Sequence, residues 1–376
     1  MSIERRQRQK GTVWLVRWRE SGSSRIRTFE RKRDAEAFEA KLTLAKRQGD
    51  LGHLDAGRQS LRDFLEQWWT LYAEHHLSAK TLKLYAGLRD RYLLPRLGKF
   101  ELRRLTPEMI QRLQVDLAAE GVGQETIRKT LALLQGVLER AVEWGHLQAN
   151  PVRVIRKPPQ GRRRVVRPLA PATVEAIRDR LLRQGRVRDA TLVSVLAYAG
   201  LRPGEALALR WGDVGDSVLM VERALALGEI QDTKTRRART VKIARPLAAD
   251  LAEWRMASGR PDDGALLFPM LRKGTEWTDS AYRSWRKRVY VPAAKAVGLE
   301  RPRPYDLRHS LASLLFAEGR NPAEIAEQMG HSLQTLLGTY THVIAELRGQ
   351  KRRSAETLIR QARESSSVKN VSHDTV

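Results

Sequence analysis

The first hydrophobic pattern along the chain alternates and then changes to a helical period. Residues 12–19 read TVWLVRWR, and residues 25–29 alternate again after a Ser-Gly-Ser-Ser turn. Alternation on both sides of such a turn predicts a β-hairpin. Residues 32–47 then place apolar side chains every three or four positions, which predicts a helix. We therefore predict a small β-sheet with one helix over residues 1–55.

The second segment, residues 60–150, has a helical pattern throughout. Ser60, Ser78 and Thr106 each stand where a helix N-cap is expected, and residues 125–144 carry one long apolar stripe. We predict a four-helix domain. Its Trp and Tyr side chains are expected to form the core rather than a surface on which bases stack.

The rest of the chain divides into a linker, a third domain and a tail. Residues 151–168 read PVRVIRKPPQGRRRVVRP, a composition that predicts an extended basic linker. Residues 169–350 are mostly helical, with short predicted strands at 217–222 and 240–243. Residues 351–376 form the tail. The whole chain is thus predicted to be mainly α with small β elements.

The charge of the chain indicates a polyanionic partner. Among 376 residues, 69 are Lys or Arg and 43 are Asp or Glu, which gives a net charge of +26. Nucleic acid is the first candidate and an anionic membrane the second. No cysteine is present, so disulfides, thiolate nucleophiles and Cys-ligated zinc are excluded. Without a long apolar run or a leader pattern, we expect a soluble, cytoplasmic protein.

Two sets of basic residues are candidates for DNA contacts. Arginines crowd the predicted hairpin, and the sequence supports equally a solvated face and a β-sheet lying in a DNA groove. The basic linker could follow a phosphate backbone. The candidate residues are Arg17, Arg19, Arg25 and Arg27 in the hairpin and Arg162, Arg163 and Arg164 in the linker.

Known phosphate-cradling and metal-binding patterns are missing from the sequence. Neither a G-x-x-x-x-G-K-[ST] loop nor a G-x-G-x-x-G loop occurs, which argues against nucleotide hydrolysis. No H-E-x-x-H, C₂H₂ or EF-hand spacing occurs either, so the sequence suggests no metal site.

Polar residues at predicted helix boundaries are the candidates for chemistry in the third domain. Arg202 and Glu205 interrupt two apolar runs, and such a pair either caps a helix or presents an arginine to an anion. Tyr305 and Arg308 are three residues apart, on one face of a helical turn.

A histidine and a tyrosine complete this set of candidates. His331 falls in a predicted tight turn between two helices, and Tyr340 near the end of a short helix. Taken singly, each of these two residues is more often structural than functional.

In their order along the chain, these residues resemble the signature of the tyrosine recombinase, or phage integrase, family. That signature is an Arg, a Lys in a β-hairpin, His-x-x-Arg, a His or Trp, and a Tyr. The stretches LRPGEALAL, YDLRHSLAS and MGHSLQTLLGTYTHV carry the resemblance across the third domain, and Lys234 matches the hairpin lysine. Tyr305 departs from the signature, because the family usually has His there. The first two domains resemble integrase arm-binding and core-binding domains in layout.

The resemblance implies a strand-transfer reaction. Tyr340 would attack the scissile phosphate and leave a 3′-phosphotyrosine and a free 5′-hydroxyl. Arg202, Arg308 and His331 would stabilise charge on the phosphate oxygens, and Lys234 would protonate the leaving oxygen. Since the phosphotyrosine conserves the bond energy, rejoining requires no ATP. The arginines would replace the metal ions of other phosphoryl-transfer enzymes, so no cofactor is implied.

Three further residues are given supporting roles. Glu205 is expected to orient Arg202 or His331. Tyr305 is expected to donate a hydrogen bond to phosphate, because a phenol is a poor base at pH 7. His309 is expected to be a buried structural partner rather than a proton carrier.

The resemblance also implies partners and alternatives. The partners would be double-stranded DNA at core-type and arm-type attachment sites, further copies of the chain in a tetramer, and accessory DNA-bending or directionality proteins. The protein would act on DNA in a prokaryotic or phage context. The amphipathic run 348–363 could pack on its own domain or on a neighbouring copy. A type IB topoisomerase would share the chemistry, and a DNA-binding protein that kept the fold without catalysis is the rival from another class.

Overall fold

The structure of the chain is a computed structural model, and it describes residues 2–8, 11–20, 23–47, 56–161, 168–232, 238–271, 274–346 and 354–371. The chain divides into two units, Met1–Arg163 and Arg164–Val376. Lys234 and the linker arginines Arg162, Arg163 and Arg164 lie outside the described residues, so the roles predicted for them stay predictions.

An antiparallel three-stranded sheet begins the first unit, with a helix packed against one face. Its elements are β1 (Ser2–Arg8), β2 (Gly11–Glu20), β3 (Ser23–Phe29) and α1 (Lys32–Arg47), and the strands pair in chain order. Val16 and Trp18 of the sheet are buried with Phe38 and Leu42 of the helix. The hairpin and the helix were predicted. Strand β1 was not, because Ser2–Arg8 reads SIERRQR and lacks apolar alternation.

The strand register divides the four hairpin arginines between the two faces of the sheet. Arg25 pairs with Trp18 and Arg27 with Val16, so both lie on the helix-covered face, since paired residues point the same way. Arg27 stacks there on the ring of Phe38, with its Cζ 4.6 Å from the ring centroid. Arg17 and Arg19 lie on the opposite, exposed face. The DNA contacts predicted for these four arginines stay a prediction.

Residues 56–161 contain the helical part of the first unit. The helices are α2 (Leu61–Trp68), α3 (Glu74–His76), α4 (Ala79–Leu88), α5 (Leu94–Leu97), α6 (Pro107–Ala119) and α7 (Gln124–Glu143), with π-helical turns at Trp69–Ala73 and Arg89–Leu93. Ser60, Ser78 and Thr106 cap α2, α4 and α6 through their hydroxyl oxygens, as predicted. Phe64 and Trp68 are buried, so the aromatic residues contribute to the core.

The second unit is a helical domain with two small antiparallel sheets. Its helices are α8 (Pro171–Arg183), α9 (Val187–Ser194), α10 (Pro203–Leu207), α11 (Arg245–Ala257), α12 (Asp279–Trp285), α13 (Val291–Lys295), α14 (Pro304–Glu318), α15 (Pro322–Met329), α16 (Leu333–Glu346) and α17 (Ala355–Val371). Its strands are β4 (Val218–Val221), β5 (Arg223–Ala226), β6 (Glu229–Asp232) and β7 (Arg239–Lys242), paired as β4–β7 and β5–β6. The β4–β7 pair was predicted, and the β5–β6 hairpin was not. Across the parts of the chain that the structure describes, no helix has the length and hydropathy needed to cross a membrane.

The C-terminal helix α17 packs on its own domain, against α8 and α11. Its Ile359 is buried in the core of the domain. Arg363 donates to Asp250 at 2.8 Å and approaches Glu175 at 3.2 Å. Both carboxylates also pair with the buried Arg178, so two arginines balance two carboxylates. Of the two placements that the sequence left open, the structure has the helix docked within the same chain.

Arg363 is expected to hold α17 in place through this buried charge cluster. Replacing it in Arg363→Ala leaves Glu175 and Asp250 with Arg178 alone. We expect the free energy of unfolding to fall by about 2 kcal/mol, less than for a fully buried pair, because a quarter of the Arg363 side chain is exposed. Urea unfolding measures this change. Arg360→Ala is the matched control, because Arg360 forms an exposed ion pair with Glu364 on the same helix. It should lower the free energy of unfolding by less than about 0.5 kcal/mol. Equal effects for the two variants would contradict the role of the cluster.

Candidate active site

Arg202 is positioned by a tight turn between a π-helical segment and α10. The segment Val195–Ala199 ends at Gly200, which has a φ of +61°. The left-handed backbone conformation favours glycine here, and a Cβ at Gly200 would lie 2.8 Å from Leu311 Cδ2, so that this leucine side chain would have to shift. The chain then enters α10 with Arg202 as the N-cap residue and Pro203 in the first turn. The sequence around Gly200 and Pro203 therefore fixes the backbone position from which the Arg202 side chain extends.

Glu205 holds Arg202 from one turn further along α10. The Glu205 carboxylate accepts from the Arg202 backbone N–H at 2.9 Å and from Nη1 at 2.7 Å. Nη2 of Arg202 donates to the carbonyl oxygen of Gly330 at 2.8 Å. Of the two residues that Glu205 was predicted to orient, Arg202 is the one it contacts. About a third of the Arg202 side chain remains exposed, so the guanidinium can still meet a ligand.

Arg308 lies near the start of α14 and is completely buried. Its guanidinium donates to the carbonyl oxygens of Gly200 and Met329, and Nη2 lies 3.0 Å from His331 Nε2. Glu205 lies 3.8 Å from Nη1. Burial, followed by the charge of Arg202, lowers the pKa of Arg308 to about 10, so this side chain stays cationic at neutral pH. The two arginines, distant in sequence, therefore meet around one carboxylate.

His331 follows the glycine that ends α15. Gly330 has a φ of +60°, a left-handed C-cap as its sequence predicts. Burial, followed by the charges of Arg308 and Arg202, lowers the pKa of His331 to about 3, so the imidazole is neutral at pH 7. A guanidinium only donates, so Nε2 accepts from Arg308 and the ring proton lies on Nδ1. Within the described residues, buried Nδ1 has no hydrogen-bond partner.

Tyr340 lies in the middle of α16 and is fully buried. The prediction that placed it near the end of a short helix is wrong, because α16 continues to Glu346. Its hydroxyl lies 2.5 Å from Nδ1 of His309, and burial raises the pKa of the phenol above its usual value. Burial lowers the pKa of His309 to about 4, so a neutral imidazole meets the hydroxyl at pH 7. His309 is buried as predicted, and its partner is the candidate nucleophile.

Tyr305, which precedes Arg308 by one helical turn, lies at the surface. It is 40% exposed, and its ring stands edge-on to His309 with the centroids 5.3 Å apart. Tyr305 and Arg308 therefore differ strongly in exposure although they share a helical face. This position is compatible with the phosphate contact expected of Tyr305.

Arg239 belongs to this site although the sequence analysis did not identify it. It begins β7 and donates to both carboxylate oxygens of Glu205, at 3.1 and 2.7 Å. Burial raises the pKa of Glu205, but the hydrogen bonds and charge of Arg239 and then those of Arg202 lower it to about 2. The signal was hidden because residues 234–239 read KTRRAR, so Arg239 looked like one of several solvated arginines. A cleft of about 740 Å³ opens beside Arg239 and His331.

The depressed pKa values of the two histidines can be measured by NMR in the DNA-free protein. We expect the imidazoles of His309 and His331 to stay neutral as the pH falls from 7 to 5, because burial disfavours their charged forms. Titration of the ring resonances, assigned with His309→Gln and His331→Gln, checks this. A midpoint near 6.5, the ordinary value, for either ring would contradict the burial seen here.

Comparison with known families agrees with this geometry. The family model described as "Phage integrase family" matches residues 167–346. A second model, for the N-terminal SAM-like domain of phage integrases, matches residues 60–118. The chain belongs to the phage integrase family and is an enzyme of the tyrosine recombinase type.

Individual relatives and solved structures are similar over most of the chain. Tyrosine recombinase XerC of Methylobacterium sp. (strain 4-46) is 28% identical, over 76% of this chain and 91% of that protein. The integrase of Mycobacterium phage L5 is 24% identical, over 84% of this chain and 85% of that protein. The Tn1549 transposon integrase, solved with transposon right end DNA, has a TM-score of 0.64 at 18% identity, over 77% and 98%. A lambda integrase tetramer bound to a Holliday junction has a TM-score of 0.59 at 18% identity, over 87% and 95%. The two structures establish the shared fold, mainly α with small β elements.

Proposed function

We propose that this recombinase cuts and rejoins DNA strands through a covalent 3′-phosphotyrosine at Tyr340, for integration or excision of a mobile element or prophage. The observation that carries the proposal is the convergence of Arg202, Arg308 and His331, from three separate segments, around Glu205 and the Gly330 turn. Three fixed cationic or donor groups at one place suit a phosphodiester, whose oxygens gain charge as the bond breaks.

The proposed phosphate site has donors to spare. A third of the Arg202 side chain is exposed, so its planar guanidinium can present N–H groups to phosphate oxygens in a geometry that a lysine lacks. In the described parts of the chain, Arg308 Nε and His331 Nδ1 are buried polar atoms without a hydrogen-bond partner. Buried donors are normally satisfied, so a ligand oxygen is a natural acceptor for them. Tyr305 is proposed to add a hydrogen bond from the exposed side.

We propose that His309 holds the hydroxyl of the nucleophile in its resting position, as a structural partner. The phenol can donate to Nδ1 of His309 at 2.5 Å when the ring proton is on Nε2. In the cleavage step a bond forms between Tyr340 Oη and phosphorus while the bond from phosphorus to O5′ breaks. The phenolic proton passes to solvent water as the phenol leaves its pocket, because a pKa lowered to about 4 makes His309 a poor acceptor. Because Tyr340 is fully buried here, the attack also requires its side chain to move toward the DNA backbone.

The leaving O5′ must be protonated for cleavage to proceed. Lys234 is the proposed general acid, by its match to the hairpin lysine of the family. Rejoining runs the same steps backwards with the 5′-hydroxyl of another strand as the nucleophile. Since one phosphodiester-type bond replaces another, this proposal requires no ATP. The arginines stabilise the charge that a metal ion would otherwise stabilise, so no metal or other cofactor is assigned.

Double-stranded DNA is the proposed partner along the whole chain. Arg17 and Arg19, on the exposed face of the N-terminal sheet, are proposed to contact arm-type sites, and the linker arginines to contact the backbone near the core site. The tetramer reported for lambda integrase on a Holliday junction supports a tetramer of this chain on DNA. Accessory DNA-bending or directionality proteins are proposed as further partners.

A nicked duplex tests this function directly. The attachment site is located by sequencing recombination junctions and is then built into a duplex with a nick close to the cleavage position. Cleavage releases the short end, so the strand cannot rejoin and the protein stays attached. We expect a covalent protein–DNA adduct to accumulate with EDTA present. Tight binding without any adduct would instead support a DNA-binding protein that has the fold but not the chemistry.

A further inference from the structure

We infer that Arg239 is a positioning residue of the strand-transfer site, which fixes Glu205 and anchors the strand that follows the segment with Lys234. The inference rests on the proposed function, because it assigns a task within the same site. None of the sequence motifs includes Arg239, and its assignment comes from its contacts alone.

Arg239 connects three segments that the chain brings together only on folding. Nη1 and Nη2 donate to the two oxygens of Glu205 on α10, and Nε donates to the carbonyl oxygen of Gln328 near the end of α15, at 3.2 Å. All three kinds of guanidinium nitrogen are therefore used. With only 9% of the side chain exposed, the group is held from all sides rather than offered to solvent.

The Gly330 turn is shaped around Arg239. A Cβ at position 330 would lie 3.0 Å from Arg239 Cζ and 3.1 Å from Nε and Nη1. The same glycine gives its carbonyl oxygen to Arg202. Displacing Arg239 would therefore release the carboxylate of Glu205, which holds Arg202, and the carbonyl of Gln328, two residues before Gly330.

Arg239 also lies close in sequence to Lys234, which is outside the described residues. It is the first residue of β7, which pairs with β4, and it follows the segment 233–237 that holds Lys234. Its ion pair with Glu205 fixes the start of β7 to the same carboxylate that fixes Arg202. One carboxylate thereby positions both Arg202 and the first residue of β7.

The charges around Glu205 make the arrangement testable by pH. The groups that face its carboxylate are Arg202 on its own helix, Arg239 on β7 and Arg308 on α14. Burial opposes ionisation of Glu205, and Arg239 is the first of the groups that overcome it. Without Arg239, the pKa of Glu205 rises and its protonated form would no longer hold Arg202 as an ion pair. The cleavage rate of a variant without Arg239 should then fall as the pH is lowered within the accessible range.

Single-turnover cleavage of the nicked duplex by the full chain measures this role. We expect Arg239→Gln to slow cleavage by about 100-fold at pH 7.5, as small displacements of catalytic groups do. DNA affinity should change by less than about threefold, because the Arg239 side chain is almost fully buried. Cleavage by this variant should also fall further between pH 7 and pH 5, while the wild type lacks that fall in rate. Arg239→Lys should recover little, since one ammonium cannot make the three bonds of the fork.

Arg188→Gln is the matched control. Arg188 is 8% exposed, donates twice to Asp189 and once to the carbonyl oxygen of Pro269, and contacts none of the site residues described above. The Arg188→Gln variant should cleave the nicked duplex at a rate within about threefold of the wild-type rate, as expected for a substitution outside the site. A second test combines Arg239→Gln with Glu205→Gln, and the second substitution should add little if Arg239 acts through Glu205.

Three results would overturn the inference. If the effects of the two substitutions on the cleavage rate were fully additive, Arg239 would not act through Glu205. A weaker DNA affinity with a shallower salt dependence would make Arg239 a direct phosphate contact. An equal loss in Arg188→Gln would reduce the effect to general destabilisation. If the wild type itself forms no adduct, the proposed function fails first, so the two failures are distinguishable.

Discussion

Replacing Tyr340 by phenylalanine is expected to abolish covalent adduct formation on the nicked duplex while leaving DNA binding intact. The substitution removes one oxygen atom from a side chain that is fully buried in α16, so the fold should persist. Without that oxygen no bond to phosphorus can form, and the adduct rate should fall by at least about 10⁴-fold. DNA affinity, measured by fluorescence anisotropy, should stay within about threefold, because no cationic group is lost.

Tyr290→Phe is the matched control for this experiment. Tyr290 is equally buried in the same domain, and its hydroxyl donates to the carbonyl oxygen of Arg303 at 3.2 Å. Its loss removes a phenolic oxygen at another position, and the adduct should form at the wild-type rate. An adduct that persists in Tyr340→Phe would mean that another residue is the nucleophile.

Arg308→Lys is expected to reduce cleavage by about 10³-fold, the scale of losing preorganised donors in a charged transition state. The guanidinium of Arg308 serves two backbone carbonyls and His331 Nε2 at once. A lysine keeps the charge but cannot serve these acceptors and a phosphate from one position. Loss of the Arg308–Nε2 bond also frees the His331 ring to turn. Single-turnover rates on the nicked duplex measure the effect.

The control for Arg308→Lys is Arg188→Lys, a buried arginine with a comparable set of bonds. Thermal unfolding of both variants reports the cost to the fold. The site account expects the two to be destabilised similarly and only Arg308→Lys to lose cleavage. Wild-type cleavage by a folded Arg308→Lys protein would show that the planar fork is not needed.

Local signals in the sequence predicted much of the fold. Helix caps at Ser60, Ser78 and Thr106 were readable because a hydroxyl before an apolar period satisfies free backbone N–H groups. The strand Ser2–Arg8 was missed because its stability comes from pairing with β2, whereas its own side chains are mostly charged. Pairing of this kind is a tertiary effect that periodicity does not record.

The candidate site was predicted where a motif marks it. Arg202, Arg308, His331 and Tyr340 stand in ordered, spaced motifs, so the sequence could name them. Arg239 could not be named, because its identity as a site residue depends on a carboxylate 34 positions away. The same holds for the partner of His309, since only folding brings α14 and α16 together.

Identification of the residue and the DNA end that are joined in the adduct tests the central claim most directly. The adduct formed in EDTA is digested with protease and nuclease, and the cross-linked peptide is sequenced by mass spectrometry. The account predicts a nucleotide attached through its 3′-phosphate to the hydroxyl of Tyr340, with a free 5′-hydroxyl on the released strand. Attachment to another residue, linkage to a 5′-phosphate, or an adduct that forms only when magnesium is supplied would contradict it.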